Sequence, residues 1–203
     1  MIGIIDYGVG NLFSLQSSFR SLGQKIVVSG DAELLRQADH IILPGVGAFS
    51  DAASKLRECG LDSFVNEQVR IGKPLMGICL GMQMLFEKSY EYGEHEGLGL
   101  LKGQVIPMAG LLPEHFKVPH MGWNQLTIME PSGNLLKDIH TGEYVYFVHS
   151  YFADGCADSL AAVTEYGIPM TAAVEKDNIF GCQFHPEKSG EVGLRILNAF
   201  CKL

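Results

Sequence analysis

No run of apolar residues in this sequence approaches the roughly 18 needed to cross a bilayer, so no membrane-spanning segment is expected. The opening Met1–Asp6 has no basic leader and no small-residue cleavage site, which argues against a secretory signal. It reads instead as the first strand of a cytoplasmic protein. Basic residues are few: 15 Lys and Arg stand against 23 Asp and Glu, for a net charge of −8. That balance argues against a broad phosphate-binding face, so no nucleic-acid partner is expected. The five cysteines (Cys59, Cys79, Cys156, Cys182 and Cys201) are odd in number and widely spaced, with no C-x-x-C pair. Neither a disulfide framework nor a zinc site is suggested, and no metal is expected. Gly8-Val9-Gly10 is not a dinucleotide fingerprint, because Phe13 holds the third glycine position. No phosphate-binding P-loop is present either, and no cofactor is expected.

Apolar residues are plentiful, at 47% hydrophobic against 19% charged, which suits a large core and excludes a disordered chain. The length fits one domain over 1–203. In the first half, short apolar runs at 2–5, 26–28, 40–43 and 73–78 alternate with helical patterns at 12–22, 51–57 and 61–71, with Asn11 and Asp31 as helix caps. This alternation predicts an α/β fold with a mostly parallel central sheet flanked by helices. Runs near 103–108, 118–129, 144–148, 161–164, 170–175 and 179–184 predict an antiparallel portion on the same sheet in the second half. A helix is expected near 80–88, a loop over 93–103 and a closing helix over 189–202.

Gly77-Ile78-Cys79-Leu80-Gly81 follows an apolar strand and precedes the helical pattern. This G-x-C-x-G is the cysteine counterpart of a nucleophile elbow: a sharp strand-to-helix turn exposes the central side chain, and flanking residues without Cβ let the backbones pass closely. Helix amides favour a thiolate there, and the Leu80 amide stands where an oxyanion could form. The plainer alternative is a buried structural cysteine.

A cysteine nucleophile needs a histidine, usually oriented by a third group. Among the seven histidines, only His185 reads as having a carboxylate set as its immediate orienter, in Phe184-His185-Pro186-Glu187-Lys188. Proline keeps His185 extended at a strand end, and Glu187 can turn back to fix the imidazole tautomer. The alternative is a surface turn. His149 is the rival base, better suited to lining a pocket or supporting the fold; the remaining histidines read as unremarkable surface residues. Pro44-Gly45-Val46-Gly47 also follows a strand, and its glycines allow the Val46 peptide to rotate an amide toward an oxyanion.

Leu43-Pro44-Gly45-Val46-Gly47, Gly77–Gln83 and Phe184–Glu187 together resemble the class I glutamine amidotransferases, over the whole chain. Within them the resemblance is greatest to the glutaminase subunits of imidazole glycerol phosphate synthases. It rests there on Ile4–Asn11, Pro44–Phe49, Pro119–Asn124 and Lys188. The resemblance implies glutamine as substrate and Cys79, His185 and Glu187 as catalytic triad. It implies an oxyanion hole from Val46, Gly47 and Leu80, and substrate contacts from Gln83, Glu91, Ser150 and Tyr151. It also implies a barrel-fold cyclase subunit as heterodimer partner, met by Asn11, Trp123, Tyr146 and Lys188. That partner would use ammonia to make imidazole glycerol phosphate and aminoimidazole carboxamide ribotide in histidine biosynthesis.

The alternatives are the glutaminase subunit of another amidotransferase, a cysteine hydrolase of the same fold, or a non-catalytic scaffold. In related peptidases a histidine usually follows the cysteine directly, whereas Leu80 follows here.

Overall fold

A computed structural model describes residues 1–129 and 133–203. In the first half the order is β1 (Ile2–Ile5), α1 (Leu12–Ser21), β2 (Ile26–Ser29), α2 (Ala32–Leu35), β3 (His40–Gly45), α3 (Phe49–Glu58), α4 (Leu61–Arg70), β4 (Leu75–Cys79) and α5 (Leu80–Gln83). Every residue of β1, β3 and β4 is buried, as continuous apolar strands covered on both faces must be. Asn11 caps α1 by accepting from the Ser14 amide at 3.5 Å, and Asp31 caps α2 by accepting from the Glu33 amide at 2.9 Å.

The second half contains β5 (Phe86–Ser89), β6 (His95–Glu96), β7 (Leu101–Pro107), β8 (His120–Gln125), β9 (Thr127–Ile128), β10 (Tyr144–His149), β11 (Tyr151–Asp154), β12 (Leu160–Glu165), β13 (Pro169–Lys176), β14 (Ile179–Cys182) and α6 (Gly190–Phe200). The main sheet has eight strands in the order β2-β1-β3-β4-β14-β13-β12-β9. Its first five strands run parallel, and β13, β12 and β9 extend it antiparallel. One apolar layer, with Phe19, Phe184 and Phe200, covers one face; another, with Phe49, Phe64 and Met82, covers the other. The mixed α/β sheet expected from the sequence is therefore present. No helix among the described residues is long and apolar enough to cross a membrane.

Two expectations are corrected. The helix near 80–88 is a single turn, and β5 begins at Phe86. Met82, Met84, Leu85 and Phe86 form an apolar run too short for periodicity to separate helix from buried strand. The second-half strands also do not all join one sheet. β8 and β10 make a separate two-stranded ribbon, while β11-β7-β5-β6 make a four-stranded sheet that draws β6 and the start of β7 from the stretch expected as loop. Alternating burial marks a strand as half-covered but does not name its neighbour.

Candidate active site

β4 ends on Cys79, and the chain then turns at once into α5. Cys79 sits at φ 54°, ψ −112°, a left-handed conformation that costs energy for any residue with a Cβ. The turn is crowded by backbone. A Cβ on Gly81 would lie 1.9 Å from the Leu43 carbonyl oxygen, and one on Gly77 would lie 2.6 Å from the Gly81 oxygen. Glycine at these two positions lets β3, β4 and the turn meet main chain to main chain.

β14 lies beside β4 in parallel register, with Cys182 opposite Ile78. Three residues past that strand's end the chain reaches His185, so both strands deliver their side chains to the same carboxyl-end crevice. His185 Nδ1 is 2.8 Å from Glu187 Oε1, and the two side chains are only 4% and 1% exposed. The pairing leaves Nε2 for Cys79. Burial pushes the His185 pKa down, but hydrogen bonding to Cys79 and Glu187 outweighs it and raises the value to about 9. Glu187 Oε2 is buried without a hydrogen-bond partner among the described residues. The backbone is locked as well: the His185 amide donates to the Tyr146 carbonyl at 2.9 Å, and the Ser189 hydroxyl donates to the His185 carbonyl at 2.7 Å.

Val46, Gly47, Leu80, Gln83, Glu91, Ser150 and Tyr151 line the same cavity as Cys79 and His185, with a volume of about 320 Å³. That is the lower end of the range for small-molecule sites. Gly45 pairs directly with Cys79 in the β3–β4 ladder, which brings the 44–47 loop against Cys79. Gln83 donates to the Tyr151 carbonyl at 3.0 Å and to Gln183 Oε1 at 2.9 Å, leaving its own Oε1 uncommitted to these bonds. Glu91, between β5 and β6, accepts from the Phe49 amide at 2.5 Å in the first turn of α3.

Sequence reasoning missed three buried groups around this cavity. Gln183 lies 3.8 Å from Cys79 Sγ through its Nε2. Tyr7 donates to the Pro44 carbonyl at 2.7 Å and so anchors the start of the 44–47 loop; burial and the nearby Cys79 both raise its pKa. Its place in the Asp-Tyr-Gly turn after β1 was the available signal. The third is His120, which is 3% exposed and bonded to His149. The expectation that the remaining histidines are surface groups is thus corrected for His120 and also for His40, which is 9% exposed and packs edge-on to Phe200. The rival base His149 lines the cavity, but both its ring nitrogens are engaged, by the Tyr151 carbonyl and by His120.

Three of the four expected partner-facing residues cluster on the surface. Trp123, 55% exposed, meets Tyr146 edge-on at 6.1 Å, and Lys188 Nζ lies 5.9 Å from the same Tyr146 ring. Asn11 stands apart as the α1 cap.

Comparison with known proteins gives one consistent result. The family model "Glutamine amidotransferase class-I" matches residues 3–202. An imidazole glycerol phosphate synthase subunit HisH of Caldanaerobacter subterraneus is 51% identical, covering 98% of this chain and 97% of its own. The protein of the same name from Lactococcus lactis is 52% identical over 98% and 96%. One from Wolinella succinogenes is 46% identical over the full length of both. A crystal structure of a glutamine amidotransferase shares the fold at TM-score 0.76 and 19% identity, covering 99% of this chain and 97% of its own. The structure of PurLQS from Thermotoga maritima does so at TM-score 0.75 and 21% identity, over 99% and 97%.

Proposed function

This chain belongs to the class-I glutamine amidotransferase family, and from that premise we propose that it serves as the glutaminase subunit of an imidazole glycerol phosphate synthase, with Cys79, His185 and Glu187 as its triad. The observation that carries this reading is the delivery of Cys79 and His185 from adjacent parallel strands into one cavity, with Glu187 bonded behind the imidazole.

The chemistry follows from the geometry. Cys79 Sγ attacks the carboxamide carbon of glutamine, and the carbonyl oxygen becomes an oxyanion. The amides of Val46, Gly47 and Leu80 are assigned to stabilise it. The C–N bond breaks as His185 gives its Nε2 proton to the departing nitrogen, which leaves as ammonia. Water, deprotonated by His185, then hydrolyses the γ-glutamyl thioester, releasing glutamate and restoring Cys79. Gln83, Glu91, Ser150 and Tyr151 hold the amino and carboxylate ends of the substrate. The uncommitted Oε1 of Gln83 and the carboxylate of Glu91 suit the ammonium group.

Ammonia passes to a cyclase subunit of barrel fold, in the cytoplasm, which forms imidazole glycerol phosphate and aminoimidazole carboxamide ribotide. Asn11, Trp123, Tyr146 and Lys188 form the face for that partner. The Gly45–Gly47 turn is the switch that sets the oxyanion amides. The purified chain alone should hydrolyse glutamine slowly, and addition of the cyclase subunit should raise the rate by at least about tenfold, within the usual span of coupling between sites. High turnover by the chain alone, or failure of the two subunits to co-purify, would overturn the assignment.

The His185 pKa makes a second prediction. The proton given to ammonia is held below about 9 and lost above it, so glutaminase activity of the complex should fall as pH rises through that value. Glu187→Gln removes one of the contributions that raise this pKa. The fall should then move to lower pH, and the rate at neutral pH should drop by about 100-fold or more as the imidazole loses its fixed tautomer. An unchanged high-pH limb in the variant would count against Glu187 as orienter.

A further inference from the structure

His120 and His149 lie directly opposite each other on β8 and β10, with His120 Nδ1 3.0 Å from His149 Nε2. Both are buried, at 3% and 6% exposed. The His120 ring is stacked between Phe147 and Tyr166, at centroid distances of 4.8 and 4.1 Å with interplanar angles of 24° to each. The pair extends in both directions. His149 Nδ1 is 2.8 Å from the Tyr151 carbonyl, and His120 Nε2 is 3.2 Å from Asn124 Nδ2.

The direction of every hydrogen bond in this row is forced. A carbonyl cannot donate, so His149 Nδ1 carries the hydrogen. A neutral His149 then offers a lone pair at Nε2, and His120 Nδ1 must donate to it. His120 Nε2 is left as an acceptor, matched to the Asn124 amino group. The Asn124 amide is oriented independently: its Nδ2 donates to the Glu165 carbonyl at 2.8 Å, and its Oδ1 accepts from the Gln125 amide at 2.8 Å. Burial supports the neutral forms by pushing His120 down to about 4 and His149 down to about 3. The row Asn124→His120→His149→Tyr151 is complete only with both imidazoles uncharged.

The row ends at a telling atom. The Tyr151 carbonyl accepts from His149 and also from Gln83 Nε2, at 3.0 Å. Ser150, Tyr151, Gln83 and His149 all line the cavity. One carbonyl therefore ties the Ser150–Tyr151 edge to the helical turn that follows the nucleophile. We propose that His120 and His149 are positioning residues for glutamine: through the Tyr151 carbonyl they hold the Ser150–Tyr151 edge and Gln83 in the arrangement that receives the substrate's amino and carboxylate ends. They take no part in proton transfer, since no nitrogen of either ring is free to exchange with Cys79 or the substrate. This role rests on the glutamine reading given above.

Two substitutions at His120 separate hydrogen bonding from packing. His120→Phe keeps a ring between Phe147 and Tyr166 but leaves His149 Nε2 without a donor. His120→Asn gives up the stack but places its Nδ2 where Nδ1 stood. Steady-state glutaminase assays should be run on the complex with the cyclase subunit. His120→Phe should raise KM for glutamine about tenfold with kcat within about threefold of wild type, the size expected for one buried hydrogen bond. His120→Asn should restore KM to within about threefold of wild type, despite a lower melting temperature. The opposite ranking, with His120→Phe normal and His120→Asn impaired, would show that His120 only fills space. A loss confined to kcat in either variant would also overturn the proposal. A wild-type complex that releases no ammonia from glutamine would fail the functional reading itself, an outcome distinct from equal KM values in an active series.

Discussion

Cys79→Ala should abolish glutamine-dependent synthesis by the complex, by at least about 10⁴-fold, while synthesis from added ammonium persists. The size follows from the absence of a substitute. Cys182 is fully buried in β14, and burial drives its thiol far above the usual range. Cys156 is buried elsewhere, against the Thr171 hydroxyl at 3.4 Å, and its thiol is raised as well. Cys59 is exposed on the surface, outside the cavity lining. Only Cys79 joins a strand end, a paired imidazole and the cavity. Removing its sulfur removes the covalent step and leaves water to attack an unactivated amide. Retention of ammonium-dependent synthesis distinguishes loss of the nucleophile from loss of the fold or of the partner contact. Glutamine-dependent synthesis above about 1% of wild type would refute Cys79 as nucleophile.

Gly81→Ala should be among the most damaging single methyls the described residues could receive. Its Cβ would fall 1.9 Å from the Leu43 carbonyl oxygen, 2.8 Å from that carbonyl carbon and 3.2 Å from the Pro44 carbon. All three atoms are backbone of buried β3, so no side chain can swing aside. Overpacking against movable groups costs about 1–3 kcal/mol; here about 3 kcal/mol or more is expected. For a chain of this size that is a fall in melting temperature of roughly 6–12 °C, or failure to accumulate in soluble form. Any relief must move β3 away from the turn, and with it the 44–47 loop that borders Cys79. Surviving protein should therefore also lose glutaminase activity. A variant that melts within about 2 °C of wild type would show that this contact has more slack than its geometry allows.

The sequence made legible what is carried by local punctuation. Glycines at 77 and 81 announced a tight strand-to-helix turn, and Pro186 announced the strand end that presents His185. Apolar runs of three to six residues gave four of the five parallel strands, because burial on both faces removes any alternation; the fifth, β14, was expected in the antiparallel portion, and its parallel partner β4 lies about a hundred residues away. What stayed hidden depends on distant partners. Phe86 reads as the end of an apolar helix until β7, more than a dozen residues on, pairs with it. The ribbon of β8 and β10 could not be told from an extension of the main sheet, since both present the same alternation. His120 sits in a strand and Gln183 just past the end of one, at positions where a polar residue usually faces water. Their burial is imposed by Phe147 and Tyr166 in one case and by α5 in the other. The four residues proposed to hold glutamine, by contrast, came from resemblance alone, and all four line the one cavity.

The adjacency of β4 and β14 has a consequence for the folding of the chain. Gln183 and Cys79, which meet beside the cavity, are 104 residues apart in sequence. The pairing that completes the centre of the main sheet is thus also among its most remote in sequence. Contacts of this separation form slowly, because a long loop must close before any of them is rewarded. Until they form, Cys79 has no imidazole beside it, and the exposed thiol of a half-folded chain is an ordinary one. With the triad proposed above, reactivity is acquired in the same event as the native topology, so a chain that stalls before β14 docks should be inert toward glutamine.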